Sequence, residues 1–336
     1  MTDAAPLSPD DLRRLFAPLL GAEAVLLAVS GGPDSMALMG TAAAFAASEV
    51  AAPPLAVATV DHGLRAGARA EAEAVTAAAA VLGLPGHVLA WDGPKPATRL
   101  QERARHHRYA LLVACARRIG ATHLVTAHTR DDQAETVLFR MMRGSGPAGL
   151  AGMAPARDRD GIVHLRPFLD VPKARLVATC RARGWRFVED PANGDPRFAR
   201  ARLRRLMPDL AAEGLDAARF ATLARRMAEA EEALGRAARR AVAEAARGSG
   251  AFDARRLVAE PAAVRHRGLA LLLETLAAAP GRPRLDAVER LDAELVRAAA
   301  AGEPLRRTLH GALLCFDGAS RLTLAAAPPR RRPPQA

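Results

Sequence analysis

Short apolar runs alternate with longer stretches of mixed apolar and charged residues through the first half of the chain. Ala24 to Val29 reads Ala-Val-Leu-Leu-Ala-Val and stops just before a pair of glycines, the mark of a buried strand rather than a helix. Asp34 to Ala47 then reads as a helix. The alternation returns three times: Leu55 to Val60 before a helix over Ala68 to Leu82, His87 to Trp91 before Arg99 to Ile119, and Thr122 to Ala127 before Asp131 to Met142. Repeated strand–helix units predict an α/β fold with a parallel sheet covered by helices. In such sheets ligands sit beyond the carboxyl ends of the strands, and Ser30, Asp61 and His128 each follow a strand.

The pattern then changes. The glycine-rich stretch Gly144 to Met153 predicts a loop, and the sheet domain is expected to end near residue 210. Leu215 to Arg247 carries apolar and charged residues at helical spacing, stopped by Gly248-Ser249-Gly250. Further helices fit Asp253 to Ala279 and Leu285 to Ala300. Two apolar runs, Ala312 to Phe316 and Arg321 to Ala325, flank Asp317-Gly318 as a hairpin would. The 336 residues exceed one usual domain, and the boundaries expected are 1–212 for a sheet domain, 213–327 for a mainly helical one and 328–336 for a disordered basic tail.

Composition narrows the partners. The net charge of +12 attracts polyanions, since each neutralised phosphate releases counterions, although a basic surface also serves solubility alone. Arg, Glu or Pro interrupts every apolar stretch before it reaches bilayer-spanning length. No secretion signal opens the chain, so the expected address is cytoplasmic, with no membrane partner. Cys115, Cys180 and Cys315 stand far apart, which disfavours disulfides, a redox pair and a cysteine metal site. Only Lys95 and Lys173 are lysines in this arginine-rich chain.

Ser30-Gly31-Gly32-Pro33-Asp34-Ser35 joins the first strand to the first helix of the sheet. Successive glycines there turn backbone N–H groups inward, and the helix adds the positive end of its dipole, so a phosphate is the natural guest. Neither a Walker A loop nor a dinucleotide fingerprint is present; Ser30 and Ser35 also suit plain helix caps. The stretch resembles the Ser-Gly-Gly-x-Asp-Ser signature of the N-type ATP pyrophosphatases, the PP-loop enzymes. That resemblance implies ATP as co-substrate, with the loop holding its pyrophosphate end and Asp34 placing Mg²⁺.

Three further stretches narrow it: Asp61-His62-Gly63-Leu64-Arg65, Glu102-Arg103-Ala104-Arg105 with Arg108-Tyr109, and Ala127-His128-Thr129-Arg130-Asp131-Asp132-Gln133-Ala134-Glu135-Thr136. With Gly144 to Met153, Arg166-Pro167-Phe168-Leu169 and Asp190-Pro191-Ala192-Asn193 they resemble the tRNA(Ile)-lysidine synthetases over roughly residues 22 to 210. The resemblance implies a Rossmann-like parallel sheet with helices on both faces and a smaller, mainly helical C-terminal domain that binds tRNA. It implies that ATP adenylates C2 of the wobble cytidine in a tRNA(Ile) with a CAU anticodon, and that free L-lysine displaces AMP. Asp34, Asp132 and Glu135 would then be catalytic. Asp61 and His62 would join Ser30 to Ser35 at ATP, and His128, Asp132 and Glu135 would bind lysine. Arg65, Arg105, Arg108, Arg200, Arg202 and Arg204 would meet tRNA.

Plainer roles stand beside these. Asp61 also suits a turn former, Asp132 and Glu135 a first helical turn that complements the dipole, and Arg105 or Arg108 a surface pair with Glu102. Ala201 stands where the family shows Asn. The longer family members carry an extra C-terminal domain for which this length leaves no room. A PP-loop tRNA thiolase is the nearest rival, but this chain, with Cys115, Cys180 and Cys315 far apart, lacks the paired cysteines or cluster ligands that sulfur chemistry uses. An amidotransferase would need a glutamine-hydrolysing domain, and a non-catalytic RNA binder would not need Asp34, Asp132 and Glu135 together. Oligomeric state is not encoded legibly; a homodimer is compatible.

Overall fold

The structure is a computed structural model that describes residues 4–63, 67–91, 93, 100–188, 199–248, 250–275 and 281–328, with the backbone alone at 100–102. Arg65, the stretch Asp190 to Asn193, the Glu102 side chain and the tail from 329 onward, with Arg330, Arg331 and Arg332, lie outside the described residues. Two compact units emerge: Met1–Met142 with Gly152–Ala224, and Arg143–Ala151 with Arg225–Ala336.

In the first unit α1 (Pro9–Phe16) precedes β1 (Val25–Ala28), α2 (Pro33–Ser48), β2 (Leu55–Asp61), α3 (Ala68–Val81), β3 (Gly86–Ala90), α4 (Leu100–Arg118), β4 (His123–Thr126) and α5 (Arg130–Met141). The short α6 (Pro147–Leu150) groups with the second unit. The first then resumes with β5 (Ala156–Arg159), β6 (Ile162–Leu165), α7 (Lys173–Ala182) and α8 (Ala199–Ala212). The sheet order is β3-β2-β1-β4-β6-β5, parallel except for β5, which pairs antiparallel with β6. The chain leaves β1 toward β2 on one side and finds β4 on the other. That reversal opens a crevice beyond the carboxyl ends of β1 and β4.

Strand alternation divides the core between two faces. Val25, Leu27 and Val57 turn to a cluster with Phe16, Leu38, Phe45, Phe168 and Leu176, contributed by α1, α2 and α7 among others. Leu26, Ala56, Ala58 and Leu124 turn the other way, onto Tyr109, Leu112 and Ala116 of α4. Phe16 lies between Phe45 and Phe168 with ring centroids 5.6 and 6.1 Å away. A ladder buried on both faces needs apolar residues at every position, which is why β1 shows no alternation in its sequence.

The β5–β6 hairpin was not expected from the pattern. It turns on Asp160 and Gly161 at φ 54° and 80°, the two left-handed positions of a tight hairpin turn.

The second unit holds α10 (Ala254–Ala259), α11 (Ala262–Thr275) and α12 (Leu285–Ala301) after β7 (Ala251–Asp253), then β8 (Leu305–Leu309), β9 (Ala312–Phe316) and β10 (Arg321–Ala326). The helix α9 (Ala217–Ala245) leads into it. Leu272, Leu273, Leu291 and Leu295 pack with Leu314, Phe316 and Leu322 in one core. The mainly helical expectation thus needs a four-stranded antiparallel sheet, β7-β10-β9-β8, beside it. The single helix expected over Asp253 to Ala279 is broken: Asp253 caps α10 through its side chain, and Pro261 separates α10 from α11. The residue before a proline is driven out of helical conformation. Within the glycine-rich stretch Pro147 starts the one-turn helix α6. No helix among the described residues is long and apolar enough to cross a membrane.

Candidate active site

The loop after β1 folds around its own polar groups. Gly31 sits at φ 85°, a left-handed backbone conformation that favours glycine, with Val75 of α3 in van der Waals reach. Gly32 caps α2 without a side chain, and Pro33 opens the helix. The Ser35 hydroxyl donates to the Gly32 carbonyl at 3.0 Å and accepts from the Ser30 N–H at 3.1 Å. Both serines therefore close the loop, and the first-turn N–H groups of α2 have no side-chain cap. Such a terminus attracts anions.

Asp34 stands in that first turn, and one of its carboxylate oxygens is 3.3 Å from Lys173 Nζ. The other, Oδ1, is buried with no hydrogen-bond partner among the described residues. Burial pushes its pKa up to about 6, opposed by Lys173 and reinforced by Asp132 and Asp131. A buried oxygen in that state suits a hard divalent cation shared with phosphates. Among the described residues no group of three or more acidic, His or Cys side chains is placed to hold a metal unaided. Mg²⁺ ordinarily uses one or two carboxylates with substrate phosphates, so Asp34 fits that role.

Lys173 was not singled out from the sequence. It begins α7, where the Asp131 carboxylate accepts from its backbone N–H at 2.8 Å. Its survival as one of two lysines in an arginine-rich chain was the available signal.

Across the crevice Thr129 and Asp132 form a reciprocal capping box at the start of α5. Asp132 Oδ2 accepts from the Thr129 N–H at 2.9 Å and from its hydroxyl at 3.1 Å. The helix-end role of Asp132 is thus real and engages one oxygen of two. Glu135, 4% exposed, accepts from Arg204 Nε at 2.7 Å and Nη2 at 3.1 Å. Burial raises its pKa and the Arg204 pair opposes that. Glu135, expected at lysine, and Arg204, expected at tRNA, therefore meet each other.

A cavity of about 390 Å³ opens here. Asp131, Asp132, Glu135, Lys173 and Arg204 line it together with the apolar Met207, Pro208, Ala211 and Ala217. Three carboxylates beside apolar side chains suit a ligand with ammonium groups on an aliphatic stem.

His128 has a defined tautomer. Arg166 Nη2 only donates, so the 3.1 Å contact makes His164 Nδ1 the acceptor. His164 Nε2 then donates to the Thr126 hydroxyl at 2.9 Å, which donates in turn to His128 Nδ1 at 2.7 Å. The proton of His128 is left on Nε2. Burial, then Arg166, Arg105 and Arg108, hold His128 well below its ordinary pKa, so this N–H is a neutral donor. Gln133 of the same motif clamps the following loop, exchanging hydrogen bonds with the backbone of Met153 at 2.7 and 2.9 Å.

The other expected residues divide. Asp61 Oδ1 accepts from the Gly63 N–H at 2.8 Å, the turn-forming role. His62 lies edge-on to Trp91, which stacks on His107 at 4.6 Å. Arg105 and Arg108 lie over Tyr109. Arg200 and Arg202 are exposed on α8, while Ala201 between them is buried.

Sheet order and loop define a class, the PP-loop nucleotide-using domains, and the PP-loop domain family matches residues 7–210. A tRNA(Ile)-lysidine synthase from Methylobacterium sp. (strain 4-46) is 56% identical over 99% of this chain and 98% of its own length. One from Rhodopseudomonas palustris is 49% identical, covering 98% of each chain. A U34-tRNA thiolase from Methanococcus maripaludis, solved with its [4Fe-4S] cluster, shares the fold with TM-score 0.56 at 15% identity, over 66% of this chain and 78% of that one. The chain belongs to the tRNA(Ile)-lysidine synthase family.

Proposed function

We propose that this protein joins L-lysine to C2 of the wobble cytidine in a tRNA(Ile) with a CAU anticodon, through an adenylated base. The observation that carries this reading is a shared wall: Lys173 touches Asp34 at the glycine loop and also lines the acidic cavity of α5. A site for activation thus adjoins a site for a diamino nucleophile. The 56% identity to a protein named for this activity supports the same substrates.

The base oxygen attacks the α-phosphorus of ATP, and the bond to the β-phosphate oxygen breaks to release pyrophosphate. The backbone N–H groups of Gly31, Gly32, Asp34 and Ser35, at the start of α2, hold that leaving group. Mg²⁺ bound at Asp34 would neutralise its charge. The lysine amine, giving up its proton, then attacks C2, and the C2–O bond breaks as AMP departs. Asp132 keeps Oδ1 for an ammonium group, Glu135 becomes available when Arg204 exchanges partners, and the His128 N–H suits the lysine carboxylate. Asp61 and His62 border the nucleotide. Arg65, Arg105, Arg108, Arg200, Arg202 and Arg204 face the RNA, and the segment 213–327 supplies further tRNA contact.

A sulfur-transferring reading finds no support in the thiols. Cys180 donates to the Pro33 carbonyl at 3.4 Å, and burial, then Asp34, pushes its pKa up to about 11. Such a thiol is a poor source of thiolate.

With Mg²⁺, ATP and labelled lysine, the protein should load label onto a CAU-anticodon tRNA(Ile) transcript and not onto one whose wobble cytidine is replaced. Asp34→Ala should abolish loading while tRNA affinity holds. Equal loading of both transcripts would refute the assignment.

A further inference from the structure

Arg105, Arg108, Arg157, Arg159 and Arg166 gather on the α4-facing side of the β5–β6 hairpin. Register explains the gathering. Arg157 and Arg159 are two apart on β5, opposite His164 and Ile162, so all four share one face, and Ile162 packs with Tyr109 of α4. Arg159 Cζ lies 3.9 Å from the Tyr109 ring centroid, with Arg108 at 5.3 Å and Arg105 at 5.4 Å. Arg166, 4% exposed, donates to the Ala154 carbonyl at 2.6 Å and to His164 at 3.1 Å.

None of the five forms an ion pair among the described residues, and the Nε atoms of Arg108, Arg159 and Arg166 are buried without an acceptor there. The charges tell on one another. Burial pushes Arg166 down to about 10; Tyr109 opposes this, and Arg157, Arg105 and Arg159 add to it. Burial, then Arg166, Arg159 and Arg157, pushes His164 down to about 3. Asp160 acts on Arg159 more weakly than Arg157 does. Concentrating buried positive charge without a counter-ion is costly. An anion with several acceptor oxygens would relieve it, and guanidinium forks match phosphate.

We propose that Arg157, Arg159 and Arg166, with Arg105 and Arg108 across Tyr109, form a phosphate seat for the backbone of the RNA substrate. The seat is set to one side of the nucleotide loop: in the order β1-β4-β6-β5 the strand of Arg157 and Arg159 is three steps from β1 and β6 is two, roughly 14 and 10 Å at the usual spacing. It grades from buried Arg166 to exposed Arg157 and Arg105, which suits a polymer lying across the edge better than a free ion. Arg166 also starts the hydrogen-bond chain that fixes His128, so the seat and the crevice share a residue. The inference rests on the RNA-modifying reading and names a contact within it.

The test is the salt dependence of binding to a CAU-anticodon tRNA(Ile) transcript, with ATP binding in the absence of RNA as a second arm. Replacing Arg157 and Arg159 together by Gln should weaken transcript binding about tenfold, and lower the slope of log affinity against log salt by about 1 to 2, with ATP affinity unchanged. Arg157→Gln alone, at an exposed edge position, should give about a third of that slope change if the double variant folds poorly. An unchanged slope and affinity would overturn the seat. Weaker ATP binding with intact RNA binding would also overturn it, assigning the arginines to the nucleotide. Wild-type protein that binds RNA through the seat but attaches no lysine would sink the ligase reading and keep the seat.

Discussion

Two aspartates of the first unit titrate in opposite senses. Asp11 is held at about 2 by the Ser8 N–H and Arg175, so its contribution to stability is present above pH 4 and lost as pH falls through 2. Asp34 is held near 6. Its folded pKa lies above the unfolded one, so the folded state keeps its proton longer and stability falls as pH rises from about 4 to 6, by roughly 2 to 3 kcal/mol. Asp34→Asn should remove that fall and raise the melting temperature of the nucleotide-free protein above pH 6. The same ionisation is needed to hold a cation, so ATP-dependent turnover should drop below about pH 6; a flat profile from pH 5 to 8 would contradict the role given to Asp34. Glu135→Gln should raise the KM for lysine about tenfold with the KM for ATP unchanged, as expected for a group meeting one substrate only. The loop Ser30 to Ser35 and the acidic motif of α5 were legible because their chemistry lies within six residues. The Glu135–Arg204 pair spans 69 positions, so no local pattern announces it.

At the scale of elements, the strand–helix alternation placed β1 to β4 and α2 to α5 within a residue or two, because buried strands and long helices differ in length and periodicity. The β5–β6 hairpin escaped because β5 carries three charged residues in succession, Arg157-Asp158-Arg159, after a single alanine. Its arginines face α4 for charge rather than for core burial, and hydrophobic alternation is blind to such a strand. Pro261 likewise outweighed the helical spacing around it. One packing contact ties α2 to the segment that follows α7: a side chain on Gly40 would begin 2.4 Å from the Trp185 ring. Gly40→Ala should destabilise the protein by about 1 to 3 kcal/mol through overpacking, read as a lower denaturation midpoint. An unchanged midpoint would show that Trp185 moves aside freely.

Across the whole molecule, a net charge of +12 and the outer-hairpin arginines, unpaired among the described residues, point to one kind of partner, while the acidic cavity beside the glycine loop points to another. Charge alone does not decide between solubility and polyanion binding; arginines of the outer hairpin that meet no carboxylate among the described residues favour the second. The parallel sheet explains why such distant motifs act together, since its reversal between β1 and β4 brings the loops after both strands to one crevice. The central claim is that lysine ends on the wobble base. The most direct measurement is mass mapping of the anticodon fragment after reaction of the CAU transcript with ATP, Mg²⁺ and lysine. The wobble cytidine should gain the mass of lysine less one water, and only when ATP is present. An unmodified wobble cytidine, or added mass on another nucleotide, would contradict it.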